Sequence, residues 1–257
     1  MTRRGAPWNP ARFPSGFALL VHREHGPVLF DTGYAARFAG ATERFPERFY
    51  RWLTPVSLPA GRSAVEQLGA IGIAPGDVRA VVVSHFHADH VAGLRDFPNA
   101  SVVCSRAAWE SVRALRGLRA VRHGFLRELL PDDVERRLAF VDERPVVAAL
   151  DGLQGFVPLH DLFGDGSAIT VALPGHAVGQ IGLFVPETPD GAMLLAADAA
   201  WSEEAYEDAL APPPAITTRL LGQTARYRST LRSLARLRRE RPDVRIVPSH
   251  SRRIFAT

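Results

Sequence analysis

Ser84-His85-Phe86-His87-Ala88-Asp89-His90 is the stretch whose reading decides this chain. It follows an apolar run, Val78 to Val83, that reads as a buried strand. Three histidines and one aspartate fall within six positions, and those are the side chains that hold a zinc-like ion. On extended backbone, residues two apart project to the same side, so His85 and His87 can grip one ion. Asp89 and His90 follow where the chain bends away, and they can address a second. Taken alone, the cluster also fits a single structural metal site.

Three later features share the same grammar, with a ligand-type residue just beyond the tip of an apolar strand. His176 follows Ala168–Leu173 across Pro174-Gly175, Asp198 follows Met193–Ala197, and His250 follows Val244–Val247. Ligands gathered at the ends of several strands make a rigid site with open coordination. Upstream, Phe17–Val21 and Val28–Phe30 read as a hairpin that runs into Asp31-Thr32-Gly33, a tight turn beside a site. His22 and His25 fall on the hairpin turn and read as exposed. His123 reads as structural, and His160, next to Asp161, as a local hydrogen-bonding residue.

The composition sets the background. The chain has 257 residues, 46% hydrophobic and 23% charged, with a net charge of +4. That suits one large domain over 1–257, with a helical insertion at about 106–150. Every basic residue is arginine, and a nucleic-acid partner is not indicated. No run is long enough for a membrane span or a signal-peptide core, so the expected compartment is the cytoplasm. A lone cysteine, Cys104, lies in the apolar run Val102-Val103-Cys104 and reads as a buried thiol. A homodimer is allowed, and the oligomeric state is left open.

Between the motifs, Phe38, Phe45, Phe49, Tyr50, Trp52 and Leu53 crowd a segment interleaved with Arg37, Arg44, Arg48 and Arg51. The spacing predicts an amphipathic, partly helical excursion whose aromatics serve the core or wall an apolar substrate pocket. Ser63 with Glu66 forms a capping box for a helix whose inner face carries Val65, Leu68 and Ile71. Arg113, Arg116, Arg119 and Arg122 recur every third residue between Leu115, Leu118 and Val121. This reads as a solvated helix face over a packed stripe, with a cationic lid as the alternative. A link at Pro212–Pro214 leads to a long helix, Thr217 to Glu240, with Leu220, Tyr227, Leu231, Leu234 and Leu237 on its inner face.

His-Phe-His-Ala-Asp-His resembles the H-x-H-x-D-H signature of the metallo-β-lactamase superfamily, and Phe30-Asp31-Thr32-Gly33 resembles its F-D-T-G turn. Pro174-Gly175-His176, Ala197-Asp198 and Ser249-His250 match its later ligand motifs in order. The resemblance implies an α/β protein, a four-layer αβ/βα sandwich with helical insertions. It also implies two divalent ions, most simply zinc, with iron, manganese or cobalt compatible with the same ligands. The first ion would be held by His85, His87 and His176, the second by Asp89, His90 and His250, with Asp198 bridging. A hydroxide shared by the ions would be the nucleophile, Asp89 and Asp198 would serve catalysis, and Asp31 would orient a ligand histidine.

Within the superfamily the pattern is closest to N-acyl-homoserine lactonases, which implies hydrolysis of a lactone or carboxylic ester of a small molecule. The aromatic segment would then receive an acyl chain. The sequence departs from that pattern twice. The tyrosine expected three residues after the bridging aspartate is Trp201, whose indole N–H is a hydrogen-bond donor only and not an acid that could transfer its proton. Gln180 replaces the second histidine of P-G-H-T-P-G-H. Tyr34 and Tyr206 are candidates to stand in for the missing hydroxyl. The alternatives are a glyoxalase II-like thioesterase and a mononuclear-iron persulfide dioxygenase-like enzyme.

Overall fold

The computed structural model describes residues 13–207 and 224–255. The chain divides into two compact units, Phe17–Phe140 on the one hand and Met1–Gly16 with Val141–Thr257 on the other.

The Phe17–Phe140 unit is built on a sheet of five strands in chain order: β1 (Ala18–His22), β2 (Gly26–Phe30), β3 (Ala80–Val82), β4 (Ser101–Cys104) and β5 (Leu138–Phe140). β1 and β2 form the expected antiparallel hairpin, and every later neighbour is parallel. Val81, Val82, Val102, Val103 and Cys104 are all buried, as strands covered on both faces require. β5 lies inside the stretch read as helical, because three residues are too few to show a period of two.

Three helices join β2 to β3: α1 (Arg37–Ala41), α2 (Arg48–Leu53) and α3 (Ala64–Ala70). At α3 the Ser63 hydroxyl accepts from the Glu66 N–H, and the Glu66 carboxylate accepts from the Ser63 N–H. Leu68 is buried by this helix, but Ile71, expected beside it, is 65% exposed. The helix has already ended there, with Ile71 as its C-cap. The aromatic segment also departs from expectation. Phe38 is buried, whereas Phe45, Phe49, Trp52 and Leu53 are exposed. The segment is two helices of five and six residues, and the second buries none of its residues.

After β4 come α5 (Arg106–Val112), capped by the Ser105 hydroxyl, then α6 (Gly117–Arg122) and α7 (Val134–Arg137). The arginine run therefore spans a break. Of the expected packed stripe, Leu115 and Val121 pack half-buried against the core, whereas Leu118 is 56% exposed, and Val112 and Ala120 are buried beside them.

The second unit carries a five-stranded sheet in the order β10-β9-β8-β7-β6. Its strands are β6 (Leu159–Asp161), β7 (Ile169–Ala172), β8 (Ile181–Val185), β9 (Met193–Ala197) and β10 (Arg245–Pro248). β10 is parallel to β9, and the remaining pairs are antiparallel. β6 holds His160 and Asp161, which the sequence reading gave local roles. His160 Nδ1 lies 3.2 Å from the Arg144 carbonyl, and the Asp161 carboxylate accepts from the N–H groups of Phe163, Gly164 and Gly166.

Helices α8 (Glu203–Glu207), α9 (described over Thr224–Glu240) and α10 (Arg252–Phe255) complete this unit. α9 buries Tyr227, Leu231, Leu234 and Leu237 at helical spacing. The expected helix start at Thr217, Leu220 and the Pro212–Pro214 link lie outside the described residues. No helix among the described residues is long and apolar enough to cross a membrane.

Leu234→Ala is expected to destabilise the protein by about 2–5 kcal/mol in urea unfolding, as a fully buried leucine does. Ile71→Ala is expected to stay within about 0.5 kcal/mol. A large loss for Ile71→Ala would return that residue to the core.

Candidate metal centre

In the Phe17–Phe140 unit, β2 and β3 are parallel and pair Phe30 with Val82. The residues that follow, Asp31 on one strand and Val83-Ser84 on the other, therefore leave the sheet at the same edge. Asp31 turns with φ of 59°, uncommon for a residue other than glycine, and is fully buried. Its carboxylate accepts from the Ser84 N–H (2.8 Å) and the Ser84 hydroxyl (2.7 Å) and lies 2.8 Å from His90 Nδ1. Thr32 continues the seam. Its N–H and its hydroxyl both donate to the His90 carbonyl, and its Oγ1 accepts from the Gly93 N–H.

These contacts fix the short helix α4 (Ala88–Val91), which begins at Ala88 directly after His87. An ionised carboxylate only accepts, so Asp31 selects the His90 tautomer protonated on Nδ1, which leaves an Nε2 lone pair. Ser84 Oγ also lies 3.0 Å from His85 Nδ1. The His85 ring packs 4.4 Å from that of His87 and 4.1 Å from that of His90. Asp89 Oδ2 is 3.6 Å from His90 Nε2.

In the second unit, β7 and β9 run the same way because each is antiparallel to β8, and β10 is parallel to β9. The His176 loop, Asp198 and His250 thus all leave one edge of that sheet. Asp198 Oδ2 sits 3.3 Å from His176 Nε2 and 3.2 Å from His250 Nε2. His250 Nδ1 lies 2.6 Å from the Pro14 carbonyl, an acceptor that again selects an Nε2 lone pair. Ala197, immediately before Asp198, has φ of 46°. Both carboxylates at strand tips are therefore delivered by left-handed, non-glycine backbone, a strain that clusters at functional sites.

Sequence reasoning missed the residues that hold these side chains. Ser84 lay inside the quoted motif with no role assigned. Gly124 closes on His87, where an added Cβ would be 2.7 Å from the imidazole Cδ2, and its carbonyl accepts from the Ala88 N–H. On α9, the Thr230 hydroxyl donates to the Pro174 carbonyl (2.6 Å), and the Tyr227 backbone lies against Gly175. The Ser251 hydroxyl, one residue beyond His250, donates to the buried carboxylate of Glu203. Such contacts join residues far apart in sequence and leave no periodic signal.

The candidate pocket residues separate. Trp201 is half-buried and edge-on to His176 at 6.2 Å, and its indole N–H has no partner among the described residues. Tyr34 is half-buried against the Phe38 ring at 4.9 Å. Tyr206 does not stand free as a substitute hydroxyl. It is buried in the core with its O–H directed at the Ile246 carbonyl, and burial, with the charge of Glu203, pushes its pKa up to about 12. Tyr227, read only as a packing residue, has a buried hydroxyl with no partner among the described residues. Burial and then the charge of Asp198 push its pKa up, so it remains a donor. A cavity of about 720 Å³ opens among Ala35, Phe38, Trp52, Val56 and Leu58.

Residues 11–250 match the family model of the metallo-beta-lactamase superfamily, and the chain belongs to that superfamily. It is 30% identical over 245 residues to an N-acyl homoserine lactonase AttM of Azorhizobium caulinodans, covering 92% of this chain and 81% of the relative. It is 29% identical over 251 residues to the protein of the same name from Rhizobium johnstonii, covering 95% and 84%. Among solved structures, an N-acyl homoserine lactone hydrolase with its product N-hexanoyl-L-homoserine superposes with a TM-score of 0.66 at 20% identity, covering 95% of this chain and 84% of that one. The two sheets with their helices are the metallo-β-lactamase fold in its α/β form.

Gly175 has φ of +131°, and an added Cβ would meet the Tyr227 N and Cα at 2.3 Å, whereas Gly164 has φ of +87° with open space around it. Gly175→Ala is expected to cost about 1–3 kcal/mol more than Gly164→Ala in denaturant unfolding, through overpacking. Equal losses would mean that the loop does not depend on its contact with α9.

Proposed function

We propose that this protein is a dinuclear metal-dependent hydrolase that opens the ring of N-acyl homoserine lactones. Asp198 carries the reading, since one of its carboxylate oxygens lies 3.3 Å from His176 Nε2 and 3.2 Å from His250 Nε2, within reach of both imidazoles, which we assign to different ions. The donor types suit such a centre: His85, His87, Asp89 and His90 in the Phe17–Phe140 unit, and His176, Asp198 and His250 in the second unit, are imidazoles and carboxylates of the kind that hold zinc. We assign His85, His87 and His176 to one ion, Asp89, His90 and His250 to the second, and Asp198 to both, with zinc as the metal. When bound, such ions supply Lewis acidity, bringing the pKa of water towards about 7 and polarising the carbonyl to be attacked.

The remaining roles belong to the chain. Asp31 is a positioning residue that holds His90 in its Nε2-presenting form, and Ser84 does the same for His85. Asp89, at the start of α4, is the carboxylate we assign to moving the proton to the departing hydroxyl. The apolar cavity beside Phe38 and Trp52 would take the acyl chain. With Tyr206 committed to the core, we assign the steadying of the substrate to the half-buried Tyr34, through its hydroxyl, and the half-buried Trp201, through its indole N–H.

Purified protein is expected to contain about two divalent ions per chain and to turn over acyl lactones ahead of thioesters, phosphodiesters and β-lactams in a substrate panel. His87→Ala or Asp198→Ala should abolish turnover while circular dichroism stays that of the parent. A single iron per chain together with oxygen uptake on a persulfide would replace this reading with the dioxygenase. Asp31→Ala is expected to weaken metal affinity by about 10–100-fold in chelator competition. Undiminished affinity would remove its positioning role.

A further inference from the structure

Two features of the sequence find no use in the catalytic reading, the exposed Phe45, Phe49 and Leu53 beside Trp52 and the arginines repeated every third residue from 113. The fold brings them together. Gly117, at the start of α6, packs at Pro46, where an added Cβ would lie 3.9 Å from the proline ring. The surface on either side of that contact is at once apolar and cationic. Phe45, Phe49, Trp52 and Leu53 are 54%, 43%, 60% and 82% exposed, and Leu118 is 56% exposed on the adjoining helix. The three aromatic rings stand edge to face on one another, with centroids 5.0–5.7 Å apart, as a single wedge. Along the chain on the wedge's side of that contact stand exposed Arg44, Arg48 and Arg51, and on the Gly117 side exposed Arg113, Arg116, Arg119 and Arg122, of which Arg113 is paired with Glu110 at 2.6 Å.

We propose that this patch, the aromatic wedge of α2 and the arginine face of α6, is a docking surface for an anionic lipid bilayer. The chemistry matches on both counts. Tryptophan, phenylalanine and leucine insert at the boundary between headgroups and acyl chains, while arginines beside them meet the lipid phosphates. A second copy of the chain fits less well, because a two-fold contact would set this arginine cluster against itself. Single-stranded nucleic acid fits less well too, since it stacks bases on open ring faces. Here the rings are closed edge to face on one another, and the wedge is tipped by aliphatic Leu53.

Position gives the docking a purpose. Trp52 belongs to the wedge and also lines the apolar cavity, so that cavity lies beside the proposed bilayer contact. On the lactonase reading, which this consequence alone relies upon, a long-chain acyl lactone dissolved in the bilayer would be offered to the cavity acyl end first. Short-chain, water-soluble substrate would gain nothing.

The test is sedimentation of the full-length, metal-loaded protein with vesicles of phosphatidylglycerol and phosphatidylcholine, against phosphatidylcholine alone. We expect binding to the anionic vesicles with a blue shift of tryptophan fluorescence, and release at about 0.5 M salt, where exposed charges are screened. Phe49→Ser/Leu53→Ser and, separately, Arg119→Gln/Arg122→Gln should each weaken vesicle binding by on the order of tenfold. Turnover of a short-chain soluble substrate should stay unchanged in both, because none of these residues lines the cavity or the candidate metal centre. No binding to anionic vesicles would overturn the proposal. So would a dimer in solution that Phe49→Ser/Leu53→Ser dissolves, or binding of a single-stranded oligonucleotide at the same salt in place of vesicles. Because vesicle binding is read without turnover, failure of the lactonase reading would leave this result standing, and the reverse.

Discussion

The buried carboxylate of Asp31 is the contact on which the histidine cluster of the Phe17–Phe140 unit depends. It takes hydrogen bonds from the Ser84 N–H and hydroxyl and holds His90 through Nδ1. To reach them, its backbone sits in the left-handed region, at a cost of about 1–3 kcal/mol for a residue that is not glycine. Hydrogen bonds to a charged group contribute about 1.5–3 kcal/mol each, so the three together outweigh the strain. The strain is thus sustained by the histidine motif it serves, and the motif has its tautomer set in return.

The second unit repeats the solution with different parts. Ala197 takes the left-handed conformation, and Asp198 beyond it meets His176 and His250. Here the support comes from helices: Tyr227 and Thr230 of α9 against the Pro174–Gly175 turn, and Glu203 of α8 on the Ser251 hydroxyl. In both units the side chains of metal-ligand type emerge from parallel-running strand ends, where backbone pairing stops and side chains are free to turn towards a ligand.

Much of this was legible because it is local. The strands β2, β8 and β9, the hairpin, the Ser63 cap and all seven ligand-type residues carry their signal in a few consecutive positions. Failures came where period had to stand in for packing. Ile71 keeps the helical spacing yet lies past the end of α3, and Leu118 keeps it across a break between α5 and α6. Phe45, Phe49 and Trp52 read by type as core or pocket wall, but they flank or sit on a six-residue helix that buries none of its residues, and they are exposed while Tyr50 is half-buried on the core.

By itself, the sequence determined the superfamily, the order of the strands that carry the site, and which histidines and aspartates have metal-ligand chemistry. Those follow from residue type and short-range spacing. Only the tertiary structure decided that Asp31 holds Ser84 and His90, that Tyr206 is spent on the core while the Tyr227 hydroxyl has no partner among the described residues, and that Gly117 of the arginine-rich segment meets Pro46 of the aromatic one. Each pairs residues separated by tens of positions. Chain closure over such distances is set by the packing of whole elements, and no local pattern in the sequence encodes it.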